Sequence, residues 1–277
     1  MKNETLKVII SVVLSFFLCL FITVLILMIT LVGSVGNEKF LQSQVKQSRY
    51  GEYLAAEIRE NMISLGFASG FSEEFFNSAI RTMDVEADIA VVIHGLYDND
   101  APAVDFNRFN REMYKKLQLD INESGIQSSL ELEDALHYLA DACTESYTTS
   151  ISFPFANTIS GAISKVRFFA LIGIAVSLAM IGVVLRFIMS IHESRRTKLI
   201  RVIQALIGSL LTLGVPTIGL LVSKVYYNIG ISSKPLYHLV TKYIDDAMII
   251  ILVLLGLILI GSLIMLQRYI EITKKRR

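Results

Sequence analysis

Residues Val8–Val35 read VIISVVLSFFLCLFITVLILMITLVGSV, a run of 28 residues without one charged side chain. A helix needs about 20 apolar residues to cross the hydrocarbon core of a bilayer. Further apolar runs of comparable length follow at Phe168–Ile191, Val202–Ser223 and Ala247–Leu266. A hydrophobic content of 53% also excludes an ordinary soluble protein. The sequence therefore predicts an all-α integral membrane protein with four transmembrane helices.

A long acidic block separates the first apolar run from the second. Residues Gly36–Lys165 contain ten Lys or Arg and twenty Asp or Glu, a net charge of −10, whereas the whole chain has a net charge of +1. The predicted organisation is residues 1–36 with the first transmembrane helix, residues 37–165 as an extracytoplasmic helical domain with a connector, and residues 166–277 with the other three transmembrane helices.

The short segments outside the acidic block are basic. The stretch between the second and third runs contains Arg195, Arg196, Lys198 and Arg201, and the C-terminal segment contains five more basic residues. Lys and Arg collect on the cytoplasmic side of membrane helices. We therefore expect a multi-pass protein of the cell membrane with both termini in the cytoplasm and residues 37–165 outside it.

Two alternatives concern the ends of the chain. The first apolar run is longer than the roughly 7–15 residues of a signal-peptide core, which favours a permanent anchor over a cleaved signal peptide. Lys274 and Lys275 fit either a C-terminal sorting signal or a positive cluster that anchors the fourth helix. The positive-cluster interpretation is preferred because it also explains the other basic segments.

The chain has two cysteines, Cys19 in the first run and Cys143 in the acidic block. They lie in different regions, so no disulfide framework is expected, and an apolar core must hold the acidic block together. A large external domain without disulfides is more typical of a bacterial surface, in particular a Gram-positive one, than of animal four-span proteins. We therefore expect a bacterial protein.

Apolar residues at helical spacing predict that the acidic block is helical. The first predicted helix begins after a cap at Asn37, and within it Tyr50, Leu54, Ile58 and Met62 recur every four residues and form one apolar stripe. Four further helices are predicted, with N-terminal caps at Ser72, Asp84, Asp105 and Ser128. The sequence thus predicts five amphipathic helices around one core, with Ile89–Ile93 as the one segment where a strand is an alternative.

Two segments flanking the apolar runs differ from this pattern. Thr144–Ser164 is rich in Ser and Thr and almost uncharged, which predicts a connector rather than a sixth core helix. Tyr226–Asp246 carries Leu236, Leu239 and Tyr243 at helical spacing, which predicts a helix at the membrane interface before the fourth run.

The apolar runs offer little chemistry of their own. The first, third and fourth contain no Asp, Glu, Lys, Arg or His, and Arg186 in the second lies near its cytoplasmic end. Because ionisable groups deep in a bilayer usually mark transport pathways, transport by this chain alone is not expected. Gly173 and Ser177 have the small-residue spacing that favours close packing, either within one bundle, which we prefer, or between two chains.

Two histidine–aspartate pairs in the acidic block have a spacing suited to metal binding. His94 with Asp98, and His137 with Asp141, are four residues apart and share one face of a helix. Each pair offers one nitrogen and one oxygen to zinc. The alternative is a structural or surface histidine beside a carboxylate, which acid-rich helices produce by chance, and this alternative is preferred.

Other candidate sites are weaker. Asp98, Asp100 and Asp105 offer carboxylates for calcium, but they lack the glycine and the final Glu of an EF-hand loop. Cys143 lies on an apolar stripe, where an inert buried thiol is expected. No nucleophile motif or phosphate-binding glycine loop occurs in the sequence, so neither an enzyme nor a cofactor is predicted.

These observations predict a non-catalytic protein of the cell envelope. The leading hypothesis is an accessory or sensor-like module whose helical domain binds a protein or a surface ligand. The alternatives are an accessory subunit of a transport or export complex and a metal-dependent extracytoplasmic enzyme that uses His94 and His137. The expected partners are the lipid bilayer and another membrane or envelope protein, not nucleic acid, and the sequence leaves the oligomeric state open.

Overall fold

The structure of the protein is a computed structural model, which describes residues 2–67, 69–98, 103–127, 129–152, 156–191 and 194–274. The chain forms two compact units. We name Met1–Asn37, Lys165–Gly230 and Tyr243–Arg277 the span unit, and Glu38–Ser164 with Ile231–Lys242 the helical domain.

All the regular structure of the described residues is helical. No strand occurs among them, so the all-α prediction is confirmed, and Ile89–Ile93 lies inside a helix. A short 3-10 helix occurs at Val225–Asn228. The α-helices, numbered along the chain, are α1 (Lys2–Gly33), α2 (Glu38–Gln47), α3 (Tyr50–Phe67), α4 (Glu73–Ala79), α5 (Thr82–Tyr97), α6 (Phe106–Glu123), α7 (Leu130–Ile151), α8 (Ala156–Ile191), α9 (Arg195–Ser223) and α10 (Lys234–Lys274).

Four helices of the described chain are long and apolar enough to cross a membrane, as predicted. They are α1, α8, α9 and α10, and each contains one of the four apolar runs or nearly all of it. Large apolar side chains cover their outward surfaces; Phe16, Phe169, Val215 and Leu257 are exposed by between 63% and 65%. Such a surface is suited to lipid rather than to water.

The span unit packs through an apolar centre to which α1, α8, α9 and α10 all contribute. Small residues bring these helices close together. A Cβ atom at Gly208 of α9 would lie 3.0 Å from the Cys19 Sγ of α1, and one at Gly173 of α8 would lie 3.0 Å from the Met28 side chain of α1. Gly173 therefore serves a contact within one bundle. The buried residues of this centre are Leu18, Ile22, Ile26, Val184, Ile188, Val202, Ala205 and Leu255.

Two of the predicted caps begin helices of the helical domain. The Ser72 hydroxyl accepts a hydrogen bond from the Phe75 N–H at 3.2 Å, and Asp105 Oδ1 accepts one from the Arg108 N–H at 2.9 Å. These contacts satisfy backbone donors in the first turns of α4 and α6, as expected for helix caps.

Two other predicted caps differ. α5 begins before Asp84, which lies in its first turn and pairs with Arg81 instead of capping the helix. A carboxylate in this turn is still favourable because it faces the positive end of the helix dipole. Ser129 caps α7, and the predicted cap Ser128 lies outside the described residues.

The predicted first helix of the domain is two helices, α2 and α3. Arg49, between them, has a φ of 55°. This left-handed conformation is uncommon for a residue other than glycine, and it ends the helix at a position that is neither Gly nor Pro. The prediction of five helices is therefore wrong: the described part of the domain contains α2 to α7 and the start of α10.

Helix α7 also corrects the predicted connector. It continues to Ile151, and Tyr147 and Ile151 are 1% and 2% exposed in the domain core. The prediction of a connector over Thr144–Ser164 is wrong for the residues up to Ile151, which belong to α7, and for those from Ala156, which belong to α8. In α7 the Ser and Thr residues occupy the wetter side of a helix whose apolar stripe continues.

The segment Ile231–Lys242, which includes the first turns of α10, packs in the helical domain. Leu239 is 4% exposed and belongs to the domain core. The His238 ring stacks on the Tyr53 ring of α3 with 4.7 Å between centroids, and Lys234 Nζ lies 5.2 Å from the centroid of the same Tyr53 ring. The predicted helix is present, but Leu239 contributes to a protein core and not to an interfacial face.

Candidate functional site

The first predicted metal pair lies at the surface of the helical domain. His94 Nδ1 is 3.0 Å from Glu38 Oε1 of α2, and both side chains are partly exposed. Asp98 follows the end of α5, where its backbone N–H donates to the His94 carbonyl. His94 thus has a carboxylate neighbour from another helix, an arrangement that corresponds to the surface-histidine alternative.

The second predicted pair lies between α7 and α6. The His137 ring stacks on the Tyr114 ring with 3.9 Å between centroids and 11° between planes. Asp141 Oδ1 accepts a hydrogen bond from Asn110 Nδ2 at 2.8 Å. Each member of the pair therefore has its own neighbour on α6, an aromatic ring for the histidine and an amide for the aspartate.

The described residues contain no group of three His, Cys, Asp or Glu side chains arranged to hold a metal ion. Asp105 of the considered calcium cluster caps α6 and lies 3.8 Å from Arg111, whereas Asp100 lies outside the described residues. The metal hypothesis gains no support from this geometry, and it stays a prediction.

Cys143 lies in the core of the helical domain with no exposed surface. Burial raises the pKa of its thiol to about 12, because an apolar environment disfavours the thiolate. The thiol is therefore protonated at neutral pH, and a protonated thiol is a poor nucleophile. This position agrees with the inert thiol expected from the sequence.

The helical domain contains a cavity of about 290 Å³ between the α4–α5 junction, α6 and α7. We name it the polar cavity, because charged side chains of both signs line it. The acidic ones are Asp84, Asp88, Asp105 and Glu112. The basic ones are Arg81, Arg108 and Lys116.

Hydrogen bonds fix the α4–α5 junction, which forms one wall of the polar cavity. Arg59 of α3 donates from Nε to the Ile80 carbonyl and from Nη2 to Thr82 Oγ1, both at 2.9 Å. Lys116 of α6 donates from Nζ to the Ala79 carbonyl at 2.7 Å. These contacts hold the end of α4 and the start of α5 against two neighbouring helices, so the cavity is built into the packing of the domain.

Tyr147 of α7 forms the floor of the polar cavity. It is 1% exposed, and its ring stacks on Phe109 of α6 with 4.0 Å between centroids. The Tyr147 hydroxyl donates to Asp88 Oδ2 at 2.7 Å. Burial, and then the hydrogen bond and charge of Asp88, raise the pKa of Tyr147 above its usual value. The hydroxyl therefore remains a fixed donor at neutral pH.

Two ion pairs at the rim of the polar cavity neutralise charge locally. Arg81 donates from Nε and Nη2 to the two carboxylate oxygens of Asp84 at 2.8 Å and 3.0 Å. Arg108 Nε lies 3.6 Å from Glu112 Oε1. The side chains of both pairs are about half exposed or more, so the pairs add little to stability.

Other depressions on the described surface of the domain are less specific. One of about 530 Å³ lies between α2, α3 and α5, and its Arg49 and Glu52 pair with each other. Shallower ones of about 420 Å³ and 620 Å³ lie beside α7. The polar cavity differs from them in having charged groups arranged over a buried tyrosine hydroxyl, and it is the candidate functional site.

Sequence reasoning missed the polar cavity. Asp88 and Tyr147 meet there although they are 59 positions apart, and no spacing rule predicts that contact. The one available signal was Tyr147 itself, a residue on an apolar stripe whose hydroxyl needs a partner when it is buried. Neither of the histidine–aspartate pairs lines this cavity.

Comparison of the chain with protein-family models, curated proteins and solved structures gave no match. Function is therefore inferred from the chemistry of the polar cavity and from the membrane helices.

Proposed function

We propose that this protein is a non-catalytic, sensor-like module of the cell envelope. Its transmembrane helices anchor a helical domain outside the cytoplasm, and that domain binds a small polar ligand in the polar cavity. The observation that carries this proposal is a cavity lined by seven charged residues together with the buried Tyr147, whose hydroxyl binds Asp88. Ligand-binding sites are usually concave, and polar groups that line them fix the orientation of the bound molecule.

Charge distribution supports the external location of the helical domain. The basic residues of the stretch 192–201 and of the C-terminal segment favour the cytoplasmic side, and residues 36–165 carry a net charge of −10. An acidic domain is also repelled by anionic lipid headgroups, which keeps its surface free to meet a soluble ligand.

The proposed sensor-like role includes a second protein. The state of the ligand site would pass to another membrane or envelope protein through lateral contacts of the transmembrane helices. Crosslinking in intact cells followed by co-purification identifies that partner. Recovery of a transporter or an export channel would instead favour the alternative role, an accessory subunit of such a complex.

Ligand binding is tested on the purified full chain in detergent, with a low-molecular-mass fraction of growth medium as the probe. Binding to the folded state stabilises a protein by about 2.7 kcal/mol at a ligand concentration of 100 times Kd. We expect a higher melting temperature, together with slower hydrogen exchange confined to the α4–α5 junction, α5 and α6. Helix α2, which does not line the polar cavity, is the internal reference.

Two outcomes would contradict the proposal. If fractions from several media change neither the melting temperature nor the hydrogen exchange of α5 and α6, the polar cavity is not a site for a small soluble ligand. Protection that appears elsewhere in the domain while α5 and α6 stay unchanged would have the same consequence.

A further inference from the structure

Within the part of the chain that the structure describes, two charged groups of the polar cavity, one of each sign, have no ion-pair partner. Lys116 and Asp88 each have no oppositely charged side chain within 4.0 Å over the described residues, whereas Arg81 and Arg108 have Asp84 and Glu112. The cavity therefore offers one unneutralised ammonium and one unneutralised carboxylate.

Lys116 is held in place by a neutral acceptor. Its Nζ donates to the Ala79 carbonyl at 2.7 Å, and its side chain is half-buried. An ammonium group has three N–H donors, and this contact uses one of them. The remaining donors and the full positive charge are available to an anionic group in the cavity.

Asp88 is held in place by a neutral donor. Its Oδ2 accepts from the Tyr147 hydroxyl at 2.7 Å, and the stacking of Tyr147 on Phe109 fixes the direction of that bond. The second carboxylate oxygen has no donor among the described residues. It is therefore available to a cationic group, and hydrogen bonds between charged groups are the strongest that a site of this kind makes.

We propose that the ligand of the polar cavity is a small zwitterion, a molecule that carries an ammonium group for Asp88 and a carboxylate for Lys116. This inference rests on the proposed function of the cavity as a ligand site. A ligand with one charge would leave the other group of the cavity without a counter-charge, which is unfavourable in a half-buried site. The volume of about 290 Å³ suits a molecule of amino-acid size.

The proposal is tested with ω-amino acids of increasing charge separation: glycine, β-alanine, 4-aminobutyrate and 6-aminohexanoate. Calorimetric titration of the full chain in detergent measures the affinity for each amino acid. Analogues that keep only one of the two charges are the controls; for 4-aminobutyrate they are butyrate and butylamine. We expect affinity to peak at one member of the series. Each single-charge analogue of the peak ligand should bind at least about tenfold more weakly, the usual effect of one charged hydrogen bond.

Two variants with matched controls test the named groups. Lys116→Gln and Asp88→Asn should each weaken binding of the peak ligand by at least about tenfold. The controls Lys115→Gln and Glu86→Gln alter exposed charges on the same helices, outside the polar cavity, and should leave the affinity within about twofold. The titrations of wild-type protein with single-charge analogues keep the test valid if either cavity variant fails to fold.

Several results would overturn the inference. Equal affinity for the zwitterion and for its single-charge analogues, or unchanged affinity in Lys116→Gln and Asp88→Asn, would show that the two groups do not act as a pair. If no amino acid of the series binds while the growth-medium fraction still protects α5 and α6, the ligand is of another class and the proposed function stands. If neither probe has an effect, both the inference and the proposed function are wrong.

Discussion

At the scale of single residues, Gly66 of α3 lies directly against Phe76 of α4. A Cβ atom at this position would overlap the Phe76 ring, which is fully buried. Gly66→Ala should therefore lower the free energy of unfolding by about 1–3 kcal/mol through overpacking. Hydrogen-exchange protection of α3 and α4 in the purified full chain measures this change.

Gly95 of α5 provides a matched control for that substitution. No described atom lies within 4 Å of the Cβ position of Gly95, so an added methyl group meets no neighbour. Alanine is favoured over glycine inside helices by about 1 kcal/mol, and Gly95→Ala is expected to keep or raise stability. Equal destabilisation by the two substitutions would contradict the tight packing at Gly66.

Cys143 gives a prediction that depends on pH. The folded state keeps this thiol protonated up to a pKa of about 12, whereas an exposed thiol titrates near 9.0. The unfolded chain therefore releases the proton first, and the contribution of Cys143 to stability is lost as the pH rises from 9.0 towards 12. In a Cys19→Ala variant, maleimide at pH 8 should label Cys143 at least about a hundredfold more slowly than after denaturation. Fast labelling of the native protein would show that Cys143 is not buried.

At the scale of helices, the crossing of α1 and α9 in the span unit depends on Gly208. A methyl group there would press on Cys19 Sγ, so Gly208→Ala should reduce thermal stability in detergent, by about 1–3 kcal/mol at the melting temperature. Gly219→Ala on the same helix meets no described atom within 4 Å and is the control. Combining Gly208→Ala with Cys19→Ala should restore part of the loss. An unaltered melting temperature in Gly208→Ala would disprove the close crossing.

Most helices were predictable because their apolar stripes repeat every three or four residues. The stripe of Tyr50, Leu54, Ile58 and Met62 is buried as expected, with exposures of 0% to 6%. The break at Arg49 was not predictable, since a positive φ is uncommon for a residue other than glycine and nothing in the sequence marks this position for one. The predicted end of α7 was wrong because it was based on the Ser- and Thr-rich composition after Thr144. The apolar stripe, which continues to Ile151, is the better indicator of where the helix ends.

At the scale of the whole molecule, the proposed topology predicts which positions reagents outside the cell can reach. In a cysteine-free background made by Cys19→Ala and Cys143→Ala, we expect Gln127→Cys to react with a membrane-impermeant maleimide in intact cells. Thr197→Cys should react only after the cells are permeabilised, because basic segments stay in the cytoplasm. The opposite labelling pattern would invert the proposed topology.

The candidate site was out of reach of sequence reasoning because it exists only in the assembled domain. Each membrane-spanning helix is recognisable from its own apolar run, without reference to the rest of the chain. The four candidate spans were predictable for this reason. The polar cavity is instead lined by residues of the α4–α5 junction, α5, α6 and α7. The pair proposed to bind the ligand, Asp88 and Lys116, depends on which charges have ion-pair partners after the helices have packed. No local pattern contains that information.

The position of Leu239 in the domain core has a consequence for biosynthesis. The helical domain is discontinuous, so a ribosome that has completed Ser164 has not yet supplied all of its core. Leu239 is 75 residues further along the chain, beyond α8 and α9. At roughly 5–20 residues per second this leaves a delay of about 4–15 s. During that interval the nascent domain would expose an unfilled apolar site, and membrane insertion of α8 and α9 would precede the last step of its folding.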